Sequence, residues 1–173
     1  MNHLVIFIAQ GFGLGRSPVA PGTVGSILGL FWFSLLISTP VPFLYFLGLA
    51  AGLGLSVFIT GKAEEFLGRK DPGCIVLDEI AAVPGCFLIW LTVLWRHNGH
   101  WPGAESIFQS KNWIVVLAVF VLFRAFDVLK PWPVRQAQNL PGGYGVTADD
   151  VLAAVYVNLF VLGVYFIQPT WLL

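Results

Sequence analysis

The chain has 173 residues, of which 57% are hydrophobic and only 10% charged, and its mean hydropathy is +0.82. A soluble domain carries about 25% charged residues, so this composition excludes an ordinary soluble domain, and the net charge of zero offers no nucleic-acid surface. At about 20 apolar residues per crossing, the length suits a single all-α, polytopic membrane domain over residues 1–173, with about five membrane-embedded helices.

The N-terminal MNHLVIFIAQ lacks a basic leader and its apolar patch is short, so a cleaved signal peptide is not expected. The stretch GFGLGRSPVAPGTVGS, residues 11–26, follows no strand and contains no Gly-Lys-Ser/Thr. Its glycines and prolines either shape a surface loop, or its backbone N–H groups cradle an anion together with Thr23 and Ser26. Val24–Ser38 is the first apolar run, short for a full span and therefore little tilted, extended backward, or re-entrant. The prolines of TPVP end it in a turn.

Phe43–Gly61 is the second run, followed by the polar segment KAEEFLGRKDPG. Ile75–Trp95 is the third, and its first turn contains Asp78 and Glu79. Neither has a basic residue three or four positions away, so a cation or basic groups from other elements must neutralise them. The fourth run, Trp113–Leu129, ends in VLFRAFDVLKPWPV, where Arg124, Asp127 and Lys130 recur every third residue. Such spacing allows an intrahelical ion-pair ladder, although charges within a span more often mark a functional path. In GGYGVTADD, before the fifth run Val151–Ile167, Thr147 and Asp150 have the spacing of a capping box. That reading uses one carboxylate and leaves Asp149 over.

Basic residues in short loops set topology. With the N-terminus inside, Arg16, Lys62, Arg69, Lys70, Lys130 and Arg135 fall inside, against Arg96 and Lys111 outside. Trp95, Trp101, Trp113 and Trp171 then lie near the outer boundary and Trp132 at the inner one. In this orientation Asp78, Glu79, Asp127, Asp149 and Asp150, five of the nine acidic residues, converge on the inner face from three helices. Several carboxylates on one polar face suit a hard divalent ion, above all Mg²⁺. Two of the three histidines fall on the outer loop, which disfavours phosphohistidine or histidine–zinc chemistry. Cys74 and Cys86 lack a histidine partner and read as reduced packing residues.

The four segments GFGLGRSPVAPGTVGS, IVLDEI, FRAFDVLKPWP and GGYGVTADDVLAAVY resemble, in order, the signatures of the phosphatidylglycerophosphatase A family. They extend from residue 11 to about residue 156. The resemblance implies a Mg²⁺-dependent phosphatase of the bacterial inner membrane that converts the phospholipid phosphatidylglycerophosphate to phosphatidylglycerol at the cytoplasmic face. Carried over by motif, Asp78, Glu79, Asp127, Asp149 and Asp150 would form the metal site. Arg124 and Lys130 would stabilise the phosphoryl oxygens, and Asp127 or Asp150 would act as general base or nucleophile. Thr23, Ser26, Gly142 and Gly143 match the polar and glycine loop positions that would bind substrate. Ala82 departs from the pattern, which commonly has glycine there.

Two other classes compete with this reading. A transporter or carrier would use the carboxylate cluster for flux, although its charges usually lie near the midplane with repeat symmetry. A lipid-binding subunit would need no metal. A CDP-alcohol phosphotransferase would carry Asp-Gly-x-x-Ala-Arg, which is missing.

Overall fold

The computed structural model describes residues 2–109 and 111–173, and the described residues contain helices and no strand. A short α1 (Asn2–Ala9) leads through a 3₁₀ turn (Leu14–Arg16) to α2 (Pro21–Ile37). α3 (Pro42–Leu67) returns from the far end to the end where α2 began. A 22-residue helical span, Leu77–Asn98, consists of α4 (Leu77–Ala82), a 3₁₀ stretch (Val83–Phe87) and α5 (Leu88–Asn98). The small α6 (Glu105–Phe108) precedes α7 (Asn112–Leu129), and the small α8 (Val134–Ala137) precedes α9 (Gly143–Ile167). α3, the Leu77–Asn98 span, α7 and α9 are each long and apolar enough to cross a membrane, and α2 is a shorter apolar helix.

The helix ends follow from residue chemistry. Pro21 and Pro42 stand at the first positions of α2 and α3, where a missing N–H costs nothing. Gly68 and Gly99 end α3 and α5 in the left-handed conformation, each returning its N–H to the carbonyl four residues back. α7 stops at Lys130 because Pro131 follows it.

The first apolar run is extended backward by three residues, to Pro21, and the second continues past Gly61 to Leu67. The largest difference is at α9, which starts eight residues before Val151. Its extra turns carry polar side chains that are buried against other helices, so hydropathy alone does not find them. Thr147 is not an N-cap: it lies inside α9, where its hydroxyl is 2.9 Å from that of Ser56 on α3.

The Leu77–Asn98 span is the central one, with most of its surface covered by its neighbours. Phe87 stacks on Phe33 with ring centroids 4.0 Å apart, and Tyr45 meets Phe33 edge-on. Pro84 cannot donate to the helical ladder, and the chain tightens into the 3₁₀ stretch around it. Neighbouring helices supply the missing partners. Tyr45 donates to the Pro84 carbonyl at 2.6 Å. Asn158 of α9 donates to the Gly85 carbonyl at 2.8 Å and accepts from the Ile89 N–H at 2.9 Å. Such repair is what a break at membrane depth demands.

Trp95, Trp113, Trp132 and Trp171 are exposed, as an interfacial belt requires. Trp101 is not part of that belt. It is 5% exposed and its ring packs against Tyr45 and Trp95.

Candidate active site

The start of α2, the start of α4, the end of α7 and the start of α9 meet around a cavity of about 320 Å³. Asp78, Glu79, Arg124, Asp127, Lys130, Asp149 and Asp150 all line it, so every acidic and basic site residue expected from sequence comes to one place. Asp78, Asp127, Asp149 and Asp150 are buried.

Within the cavity the carboxylates divide by their partners. Asp127 is held by cations on its own helix: Arg124 Nη1 lies 2.7 Å from its Oδ2, and Lys130 Nζ lies 3.9 Å from its Oδ1. This is the ladder that the spacing allows, but it does not stay within one helix. Arg124 also reaches Glu79 of α4 at 3.8 Å, and Lys130 reaches Asp149 of α9 at 2.5 Å. Burial alone would lower the Lys130 ammonium. The hydrogen bond to Asp149 and the charges of Asp149, Asp127 and Asp150 outweigh it and hold Lys130 above the ordinary lysine range.

Asp78, Glu79 and Asp150 make up the other set. One carboxylate oxygen from each lies within 4.8 Å of the other two. Asp78 Oδ1, Glu79 Oε2 and Asp150 Oδ1 are buried and have no hydrogen-bond partner. A buried carboxylate oxygen left unpartnered costs a great deal of free energy, and three carboxylates gathered this closely cost more. An all-oxygen, anionic donor set of this kind fits a hard divalent cation. Beside it the buried Nε of Arg124 is an unpartnered donor.

Small residues make this approach possible. A Cβ added to Gly22 would meet Glu79 Oε1 and the Arg124 guanidinium, and one added to Gly25 would meet Val76. α2 therefore lies against α4 through its glycine face. Ser26, in the same face, donates to the Gly22 carbonyl at 2.8 Å and accepts from Arg124 Nη1 at 3.3 Å. It braces the arginine and does not line the cavity. Thr23 is partly buried and also lies outside the lining.

Gly142 and Gly143 sit elsewhere, at the contact of α9 with α3. A Cβ on Gly143 would meet the Val57 carbonyl, the Gly61 nitrogen and Thr60 Oγ1. That contact seats the start of α9, and with it Asp149 and Asp150.

Sequence reasoning missed Asp71, which lines the cavity. Its N–H donates to the buried Glu64 at 2.6 Å, and its Oδ2 accepts from Gln138 at 3.1 Å. The signal available was an aspartate before Pro-Gly within a polar segment. Ala20, Asp71 and Lys130 all line the cavity, and all are non-glycine residues with positive φ. Such backbone strain collects where surrounding structure holds a functional geometry.

Comparison with known proteins places this arrangement. The Phosphatidylglycerophosphatase A family model matches residues 7–165. Phosphatidylglycerophosphatase A of Escherichia coli K12 is 34% identical over 167 residues, covering 95% of this chain and 83% of that protein. The Haemophilus influenzae Rd protein of the same name is 32% identical, covering 92% and 87%. A Bacteroides thetaiotaomicron protein, provisionally named a phosphatidylinositol-3-phosphatase, is 36% identical, covering 90% and 89%. No solved structure matches the chain. The match runs through all four segments that build the cavity, and the chain belongs to the phosphatidylglycerophosphatase A family.

Proposed function

We propose that this protein is a Mg²⁺-dependent lipid phosphatase that removes the terminal phosphate of phosphatidylglycerophosphate to give phosphatidylglycerol. The observation that carries the reading is the pairing of three buried, unpartnered carboxylate oxygens with two cations in one cavity. The names of the Escherichia coli and Haemophilus influenzae relatives supply the substrate.

Asp78, Glu79 and Asp150 would hold Mg²⁺. The ion, when bound, would supply positive charge against phosphoryl oxygens and lower the pKa of a bound water. Arg124 and Lys130 bind the remaining phosphoryl oxygens, whose charge grows as the leaving group departs. Asp127 fixes both cations, and Asp149 draws Lys130 toward α9. Asp71 lines the rim from the loop before α4. Asp127 would take a proton from the attacking water through Oδ1, the oxygen that Lys130 approaches only to 3.9 Å.

The excess of basic residues at the cavity end supports an inner-membrane protein with its N-terminus and site on the cytoplasmic side. The deciding experiment is phosphate release from phosphatidylglycerophosphate in detergent micelles, with Mg²⁺ and then with excess chelator. Release that requires Mg²⁺ is expected. A folded preparation that releases phosphate equally well in chelator would overturn the metal assignment. One that releases none from this lipid, but does from a phosphorylated phosphatidylinositol, would change the substrate.

A further inference from the structure

The mouth of the cavity has two unlike lips. One is the polar loop before α4, where Asp71 and Gly73 are exposed. The other is apolar and formed by Ala20 and Pro21 at the start of α2 and Val128 near the end of α7. Val128 is 69% exposed, and the residues just outside this lip, Val19 and Leu129, are 74% and 76% exposed.

α7 continues the apolar lip outward. Leu117, Val121, Arg124 and Val128 recur at helical spacing and share one stripe. The three apolar members face outward. Arg124 alone turns inward, its side chain only 19% exposed, to Asp127, Glu79 and Ser26. One strip of α7 thus carries both the phosphate-binding cation and a lipid-facing surface.

On the opposite flank of α7 an apolar groove of about 420 Å³ opens between α7 and α9, but toward their other ends, around Lys111, Ile114 and Trp171. At the level of the cavity that flank of α7 is closed. The rings of Phe126 and Tyr156 lie 5.2 Å apart, and the Tyr156 hydroxyl donates to the Trp132 carbonyl at 2.5 Å. α7 packs along α9 but meets α2 only briefly. The way from the cavity into hydrocarbon therefore lies between α2 and α7.

We infer that this gap is a lateral portal, and that an acyl chain of the phospholipid substrate lies along the Leu117–Val121–Val128 stripe while its phosphate occupies the cavity. The inference rests on the lipid-phosphatase reading and deepens it. A chain on this track stays in hydrocarbon, so reaching the site costs no transfer of methylenes to water. The polar lip at Asp71 and Gly73 faces water and gives the released phosphate its exit.

Two measurements test the portal. The first needs no turnover. The full-length protein in micelles is photolabelled with a phosphatidylglycerophosphate bearing a diazirine in its acyl chain, and adducts are mapped by mass spectrometry. Labels between Leu117 and Val128 that unlabelled substrate removes, and that a phosphatidylcholine probe does not reproduce, are expected. Labels concentrated on α9, or uncompeted ones, overturn the portal. The second compares phosphate release from the long-chain lipid with release from its deacylated headgroup. Val128→Trp is expected to lower the ratio of their kcat/KM values at least about tenfold. An unchanged ratio overturns the portal. If the wild type releases phosphate from neither substrate while competed labels fall on α7, the phosphatase reading fails and the portal stands.

Discussion

Lys130 Nζ lies 2.5 Å from Asp149 Oδ2 and 3.9 Å from Asp127 Oδ1, so one ammonium joins the end of α7 to the start of α9. Lys130→Met removes the cation that faces three carboxylates. We expect kcat for phosphate release to fall roughly 10²–10³-fold, as when one preorganised charge-stabilising donor is lost. Stability in detergent, followed as Tm, should fall as well, because Asp149 is then left buried without its ion pair. Full activity in this variant would remove Lys130 from the site.

Asp127→Asn keeps the shape of the side chain but drops the charge between Arg124 and Lys130. Turnover should be mostly abolished while the protein still purifies as a folded species. Near wild-type kcat would sink the role of Asp127.

The trio predicts opposite effects on stability in the absence and presence of Mg²⁺. With chelator present, Asp78→Asn or Asp150→Asn relieves repulsion among Asp78, Glu79 and Asp150, so Tm should rise. With Mg²⁺, the wild type gains stability by binding the ion while the variants gain less. Melting curves with and without Mg²⁺ check both arms. A wild-type Tm that ignores Mg²⁺ would argue against the trio as the metal site.

Gly22 and Gly25 lie in the same helix face and both approach Glu79, but their tightest neighbours differ: Glu79 itself for Gly22 and Val76 for Gly25. Gly22→Ala pushes into Glu79 and Arg124, so its main effect should be a loss of activity of about tenfold or more. Gly25→Ala pushes into Val76, and should cost about 1–3 kcal/mol of stability. Parallel kcat and Tm measurements separate the two. Equal losses in both quantities for both variants would show that neither glycine is specific to the site.

Asn158→Leu strands the Gly85 carbonyl and the Ile89 N–H inside the protein. A loss of about 1–3 kcal/mol is expected, read as lowered Tm, with kcat at low temperature largely kept. A neutral result would mean that the 3₁₀ stretch finds other partners.

Much of this architecture was legible because charge is so sparse in the chain. Asp78, Glu79, Asp127, Asp149 and Asp150 stood out against apolar runs, and short-loop topology brought them to one end. Their division into a pair held by cations, Asp127 and Asp149, and a trio that each present a buried, unpartnered oxygen was not legible. Spacing along α7 shows that Arg124 can reach Asp127, but only the packing of α4 and α9 decides that it also meets Glu79 and that Lys130 meets Asp149. The start of α9 was hidden because Thr147, Asp149 and Asp150 are polar yet buried, and hydropathy assigns such residues to loops. Asp71 is hidden for a related reason: its neighbours Lys70 and Arg69 give the segment the character of a solvent-facing link. The Gly-rich motif makes Ser26 a candidate anion ligand, whereas within α2 its hydroxyl is engaged by the Gly22 carbonyl and Arg124.

The 3₁₀ stretch Val83–Phe87 also has a consequence for helical phase. At three residues per turn, its five residues advance about 100° further than they would in an α-helix, the angular worth of about one residue. That offset lets Asp78 and Glu79 turn into the cavity at one end of the span while Phe87, Trp90 and Leu91 turn into the core beyond it. A regular α-helix over the same stretch would need one additional residue to keep both halves facing inward. Pro84 therefore sets the angular register between the acidic end of this span and its aromatic half.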